Sequence, residues 1–221
     1  MEPMRITFEL ATPLILNRQT YFDGLLAWCA VKEADGDLSV IEALPLKQTA
    51  GVYHASTWVA EDTLPFVPEP QMFVKNSFKR EVKSDPGLLD VIEGSDNLKK
   101  NLFNEGSGRF KGYLEEYQFQ THRYVHFWAC GDVSRVEELL DSLRFLGAKS
   151  SLGMGKIKKT IVEPQEHDTS LYRKNRIMRP LPVDGQYDFL PTSRKVSRGY
   201  SRTKPPYWEK TGLSECFLPE I

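Results

Sequence analysis

His122 and His126 stand four residues apart on a run that also carries Gln120, Tyr124 and Trp128 at alternate positions. In an extended strand the period of two puts all five on one face. Two imidazoles beside Tyr124 and Arg123 are the groups that could take a proton from a ribose 2′-hydroxyl and return one to a leaving oxygen, the chemistry of RNA cleavage. The same face also suits packing, or stacking on RNA. No third group that would orient an imidazole is apparent, so packing or stacking is the expected role and no catalytic residue is expected. His54 reads as alone on its strand and His167 as part of a polar tail. A nucleophilic serine would need Gly-x-Ser-x-Gly, which is absent. Asp23 and Asp132 read as helix caps rather than paired carboxylates. Cys29, Cys130 and Cys216 are odd in number and form no Cys-x-x-Cys pair, so reduced buried thiols are expected, with no metal and no cofactor.

The richest segment is Gly147-Ala-Lys-Ser-Ser-Leu-Gly-Met-Gly-Lys-Ile-Lys-Lys159. It is not a nucleotide-binding P-loop, because Ile157 follows Gly155-Lys156 where Ser or Thr is required, and Ser150 occupies the place of the first glycine. It is not a dinucleotide fingerprint either, since no third glycine follows Gly153-Met154-Gly155. Gly147, Gly153 and Gly155 could bring bare backbone N–H groups against a phosphate, with charge from Lys149, Lys156, Lys158 and Lys159 and short donors from Ser150 and Ser151. Met154 belongs to the same candidate site. The plain alternative is a helix C-cap at Gly147 followed by an ordinary tight turn.

Other cations gather beside aromatic residues. Lys75, Lys79, Arg80 and Lys83 precede a polar stretch and Arg109 and Lys111 close it, near Phe73, Phe78, Phe110 and Tyr113. Cations among aromatics suit single-stranded RNA, whose bases stack while its phosphates are neutralised. Arg194, Lys195, Arg198, Arg202 and Lys204 surround Tyr200 and precede Tyr207-Trp208, and Arg173, Lys174, Arg176 and Arg179 form another group. Both groups could fold onto RNA or remain a solvated tail.

These residues need positioning elements. Met4–Leu10 alternates apolar and polar side chains as a strand does. Asp23 is placed to cap a helix over Gly24–Glu33, whose apolar residues run nearly all round and imply burial on more than one side. Leu38–Leu46, Gly51–Val59 and Met72–Lys79 read as strands, Lys47–Ala50 as a turn and Glu61–Gln71, with Pro65, Pro68 and Pro70, as a connector. Residues 81–112 are polar and without sustained periodicity, an insertion projecting from a sheet. Tyr117–Cys130 reads as one long strand. Ser134 and Glu137 form a capping box for a helix reaching Phe145, with Val136, Leu139, Leu140 and Leu143 as its stripe. Lys156–Val162 is a closing strand, and from Pro164 onward the chain is proline-rich, basic and irregular. The order strand–helix–strand–strand, insertion and strand, helix, strand predicts an α+β, ferredoxin-like (RRM-like) domain over 1–163 with a thumb-like insertion at 81–112 and a C-terminal extension over 164–221.

The glycine segment 147–159, following the second helix, resembles the signature of the RAMP superfamily of CRISPR RNA-binding proteins. Arg5-Ile-Thr-Phe-Glu-Leu-Ala-Thr-Pro13, Phe22-Asp-Gly-Leu-Leu-Ala-Trp28, Leu44-Pro-Leu and Gly51-Val-Tyr-His-Ala-Ser56 resemble the five-prime-handle-binding, Cas-five-like Csf subunit of type IV CRISPR complexes. The resemblance covers roughly residues 4–163. It implies a non-catalytic subunit that holds the repeat-derived handle of a guide RNA (crRNA) and caps a filament of backbone (Cas-seven-like) subunits. The partners so implied are those subunits, a large-subunit-like protein, target DNA near the protospacer-adjacent motif, and a helicase. A guide-RNA-processing endoribonuclease using His122 or His126 and a protein–protein adaptor are the rival readings.

Composition fits this picture without demanding it. Of 221 residues 40% are hydrophobic and 11% aromatic, enough for a packed core. The net charge of −1 places any phosphate binding in local clusters rather than in overall charge. Without an apolar run at the N-terminus or ~18 consecutive apolar residues anywhere, a soluble cytoplasmic chain is expected.

Overall fold

The computed structural model describes residues 1–17, 19–60, 71–76, 113–185, 187, 196–209 and 211–219. The expected thumb-like insertion at 81–112 lies outside them. The chain divides into one unit formed by Met1–Val67 with Gln120–Ile221 and a second formed by Pro68–Phe119.

In chain order the elements are β1 (Glu2–Leu10), α1 (Phe22–Glu33), a 3-10 helix (Leu38–Ala43), β2 (Gln48–Thr49), β3 (Val52–Tyr53), β4 (Val59–Ala60), β5 (Gln71–Asn76), β6 (Tyr113–Gln118), β7 (Tyr124–Gly131), α2 (Val133–Leu140), β8 (Ile157–Pro164), β9 (Tyr172–Arg173), β10 (Arg176–Ile177), β11 (Leu181–Pro182), β12 (Arg198–Ser201) and β13 (Ser214–Phe217). The second unit holds the antiparallel pair β5–β6. The class is α+β, as expected.

The first unit is built on an antiparallel sheet of order β4-β7-β1-β8. Ile6 sits opposite Phe127 on one side and Val162 on the other. The alternation read in Met4–Leu10 buries Met4, Ile6, Phe8 and Leu10 together with Val125, Phe127 and Ala129, against Phe22, Leu26, Cys29 and Ala30 of α1 and Val136, Leu139 and Leu140 of α2. Phe127 meets Phe8 edge-on at 6.0 Å and Phe22 at 5.7 Å between ring centroids. Such aromatic contacts add to the area term that drives burial.

Several boundaries differ from the sequence reading for local reasons. Asp132, not Ser134, caps α2, its carboxylate accepting the Arg135 N–H. The helix stops at Leu140 rather than Phe145 because Phe145 pairs with Lys156 and Leu146 N–H donates to Gly155, so the strand ladder competes for that backbone. Leu38–Ala43 is helical because Asp37 accepts both the N–H and the hydroxyl of Ser39, a local bond that turns the chain. The expected strand 51–59 is two short ones, and the expected strand 117–130 breaks into β6 and β7 around Gln120, which pairs with Leu14.

The C-terminal region is more regular than its composition suggested. Strand β13 pairs with both β11 and β12, and Leu171, Ile177 and Leu181 form a small core with Val52. It is joined to the rest of its unit by Arg179, expected among surface cations but buried, as is Asp23, expected as a cap. The Arg179 guanidinium donates to the carbonyls of Tyr53 (2.7 Å) and Ala55 (3.1 Å), to Asp23 Oδ2 (3.0 Å), to the Tyr207 hydroxyl (2.8 Å) and to the Thr203 carbonyl. Tyr207 in turn donates to Asp23. Helix α1 therefore starts after Tyr21 with no side-chain cap.

Arg179→Met should destabilise the chain by about 3–5 kcal/mol, because it strands a buried carboxylate. The pair Arg179→Met with Asp23→Leu should recover only part of this, since the three carbonyls still lose their donors. Urea unfolding midpoints of the three proteins check this, and full recovery in the double variant would contradict it.

Candidate nucleic-acid interface

The loop between α2 and β8 is shaped by its glycines, though not as bare anion donors. A Cβ on Gly147 would lie 2.3 Å from the Ile15 carbonyl, and one on Gly155 would lie 1.8 Å from that of Leu146. Both also have positive φ, 85° and 69°, so two independent constraints select glycine there. The backbone donors are largely spent inside the protein. Gly155 N–H donates to Pro13, Ala148 to Ile15, Gly153 to Ser150 and Met154 to Lys149. Thr12 locks the turn, its hydroxyl donating to the Gly153 carbonyl (2.7 Å) and accepting from Lys156 N–H (2.8 Å). The expectation that Gly153 and Gly155 present free amides is thus corrected: the Ser150 carbonyl claims the first and the Pro13 carbonyl the second. Met154 and Gly155 are buried.

What faces outward is narrower. Ser150 and Ser151 are exposed at the start of a 3-10 turn, and among the described residues their N–H groups donate to no protein acceptor. Lys149, left-handed at φ 61°, and the exposed Lys156 flank them. Lys158 is partly engaged, donating to Glu9 at 2.9 Å, and Arg123 lies 3.8 Å from the same carboxylate. The hydrogen bond from Lys158 holds the Glu9 carboxyl below its ordinary range.

The other described cations of the first unit have settings of their own. The Arg123 guanidinium lies over the Tyr124 ring and that of Arg198 over Phe217. Arg202 is half-buried beside the Lys204–Glu42 pair. Lys75 is on β5, in the second unit. Lys79, Arg80, Arg109, Lys111 and Arg194 lie outside the described residues. The two histidines expected on one face part company. His126 is buried within β7, bonded to the Thr7 hydroxyl at 2.9 Å and flanked by Tyr124 and Trp128. His122 precedes the strand and rests against Trp58. Over Trp128 lies the Arg173 guanidinium, 3.7 Å from the ring centre, so the C-terminal region covers part of this sheet face.

Sequence reasoning missed an imidazole with both ring nitrogens engaged. His54 is not alone: Nδ1 lies 2.5 Å from Asp168 Oδ2 and Nε2 lies 2.7 Å from the Thr49 hydroxyl. Asp168 also accepts from the N–H and hydroxyl of Ser170. Burial pulls the Asp168 carboxyl up, but the bonds from His54 and Ser170 outweigh it and bring it down to about 2. With both ring nitrogens engaged and the side chain buried, His54 ties the 168–170 segment to the β2–β3 hairpin. The partners are 114 residues apart, so no local spacing could have announced them.

The family model described as Csf3, CRISPR type IV associated protein, matches residues 2–219. No curated protein matches the chain.

The depressed Asp168 carboxyl makes stability depend on acid. Its contribution is complete above the ordinary value of 3.8 and is lost as pH falls towards 2. The loss should be on the order of 2 kcal/mol. Asp168→Asn should be less stable at neutral pH and show a correspondingly shallower decline between pH 4 and 2, as thermal unfolding across that window would register.

Proposed function

We propose that this chain, which belongs to the Csf3 family of type IV CRISPR-associated proteins, is a non-catalytic guide-RNA-binding subunit of its effector complex. In this reading it is a RAMP protein that holds the five-prime, repeat-derived handle and caps the filament of Cas-seven-like subunits. A large-subunit-like protein and target DNA near the protospacer-adjacent motif lie beside it, and a helicase acts with the complex. The site of action is the cytoplasm; no helix among the described residues is long and apolar enough to cross a membrane.

The observation that carries the reading is the outer turn of the glycine loop. It offers two amides that donate to no acceptor among the described residues, and two hydroxyls, from Ser150 and Ser151 between Lys149 and Lys156, a set that suits a phosphate oxygen. The sheet order β4-β7-β1-β8, with α1 between β1 and β4 in sequence and α2 between β7 and β8, supports a ferredoxin-like fold. Burial of His126 and its bond to Thr7 support packing over acid–base work for that residue. In guide-directed systems base pairing reads the target, so contacts to backbone and shape suffice for such a subunit.

Labelled repeat RNA incubated with the purified chain in metal-free buffer should be bound and remain intact. A cut at one defined site that disappears in His122→Ala with His126→Ala would replace this reading with an endoribonuclease. Lys149→Glu with Lys156→Glu should weaken binding and lower the slope of log K against log salt by about 1.4, the loss of two phosphate neighbours on a single strand.

A further inference from the structure

Helix α1 is apolar nearly all round, yet only part of its surface enters the core. Phe22, Leu26, Cys29 and Ala30 are buried, whereas Trp28 is 53% exposed. The sequence reading, burial on more than one side, fails at this residue. Trp28 lines two grooves. One, of about 710 Å³, runs from Trp28 to the glycine loop, where Gly147, Ala148 and Ser150 line it. The other, of about 570 Å³, runs towards Pro205, Pro206 and Trp208, and Trp208 is 71% exposed.

The charge of these grooves is one-sided. Lys32 and Arg144 line the first, and neither groove has a carboxylate among the described residues that line it. Both cations are exposed, and among the described residues neither is paired with an acid. The Lys32 ammonium sits over the Trp28 ring at 5.1 Å from its centre. Exposed indoles next to unneutralised cations, with Asn17, Thr20 and Ser142 as neutral hydrogen-bonding groups, match a ligand that has flat apolar rings joined by anionic links. An aliphatic protein helix would leave both cations without partners.

We propose that this surface is a second binding site for single-stranded RNA, in which a base stacks on Trp28 and its phosphates lie towards Lys32 and Arg144. The strand continues from the outer turn of the glycine loop, past Trp28, towards Trp208. The inference rests on the RNA-binding reading above and extends it to a face that the loop alone does not include.

Anisotropy of a labelled single-stranded oligouridylate, titrated with the full chain, tests it. Trp28→Ala should bind about 5- to 150-fold more weakly, the loss of one stacked base, while Trp28→Phe should stay within about threefold of the parent. Trp208→Ala, at a side chain 71% exposed, provides a second variant and should also bind more weakly than the parent. Emission of the parent should fall as RNA is added, with a smaller fall in Trp28→Phe. Unchanged affinity in Trp28→Ala, alongside weakening in Lys149→Glu with Lys156→Glu, would overturn the groove site and leave the loop reading standing. No binding by the parent chain would overturn both. Protection of Trp28 from oxidation in the assembled complex after its RNA has been removed would also overturn the site, by showing a protein cover there.

Discussion

The guanidinium of Arg179 is the interaction on which this architecture depends. A buried cation is tolerable only when its charge is matched and its donors are used. Here one planar group meets a carboxylate, a phenol and three carbonyls drawn from the β3 region, the start of α1 and the 203–207 segment. Burial raises the Asp23 carboxyl against the pull of Arg179, and raises the Tyr207 phenol well above its usual range. The C-terminal strands are thereby part of the same unit as the four-stranded sheet. A lysine could not substitute, since a point charge lacks the fork that reaches five acceptors at once.

Local pattern made some of this legible and could not reach the rest. The alternation of Met4–Leu10 gave β1, and Val136, Leu139 and Leu140 gave the buried stripe of α2. Both signals are carried by residues adjacent in sequence. The Asp23–Arg179 and His54–Asp168 contacts join residues 156 and 114 positions apart, and each participant has an ordinary local reading, as cap, surface cation or lone strand histidine. The short strands β9–β13 were illegible for another reason: each spans only two or four residues, too few for a period of two to show. In the loop before β8 the glycines were legible, but what selects them was not. The glycines at 147 and 155 answer to the carbonyls of Ile15 and Leu146.

That correction changes how the loop relates to its surroundings. Because Thr12, Pro13 and Ile15 each accept a hydrogen bond from the loop and Thr12 donates one back, the outer turn at Ser150 and Ser151 is held by the segment that leaves β1. The same segment leads past Leu16 and Asn17 towards α1. Loop, linker and helix face are consequently one continuous surface, and a substitution at Thr12 would move the loop without touching any ligand.

Strand β1 lies at the centre of the sheet but is the first element in the chain. Its neighbours are β7, with Glu2 opposite Gly131, and β8, with Met4 opposite Pro164. During synthesis its backbone therefore waits for partners that emerge more than a hundred residues later, on the order of ten seconds at ordinary translation rates. Local pairs cannot relieve that wait, and folding dominated by such distant pairings is slow. Throughout the interval the two unpaired edges of β1 and its apolar face of Met4, Ile6, Phe8 and Leu10 are open to mispairing and aggregation until β8 has left the ribosome.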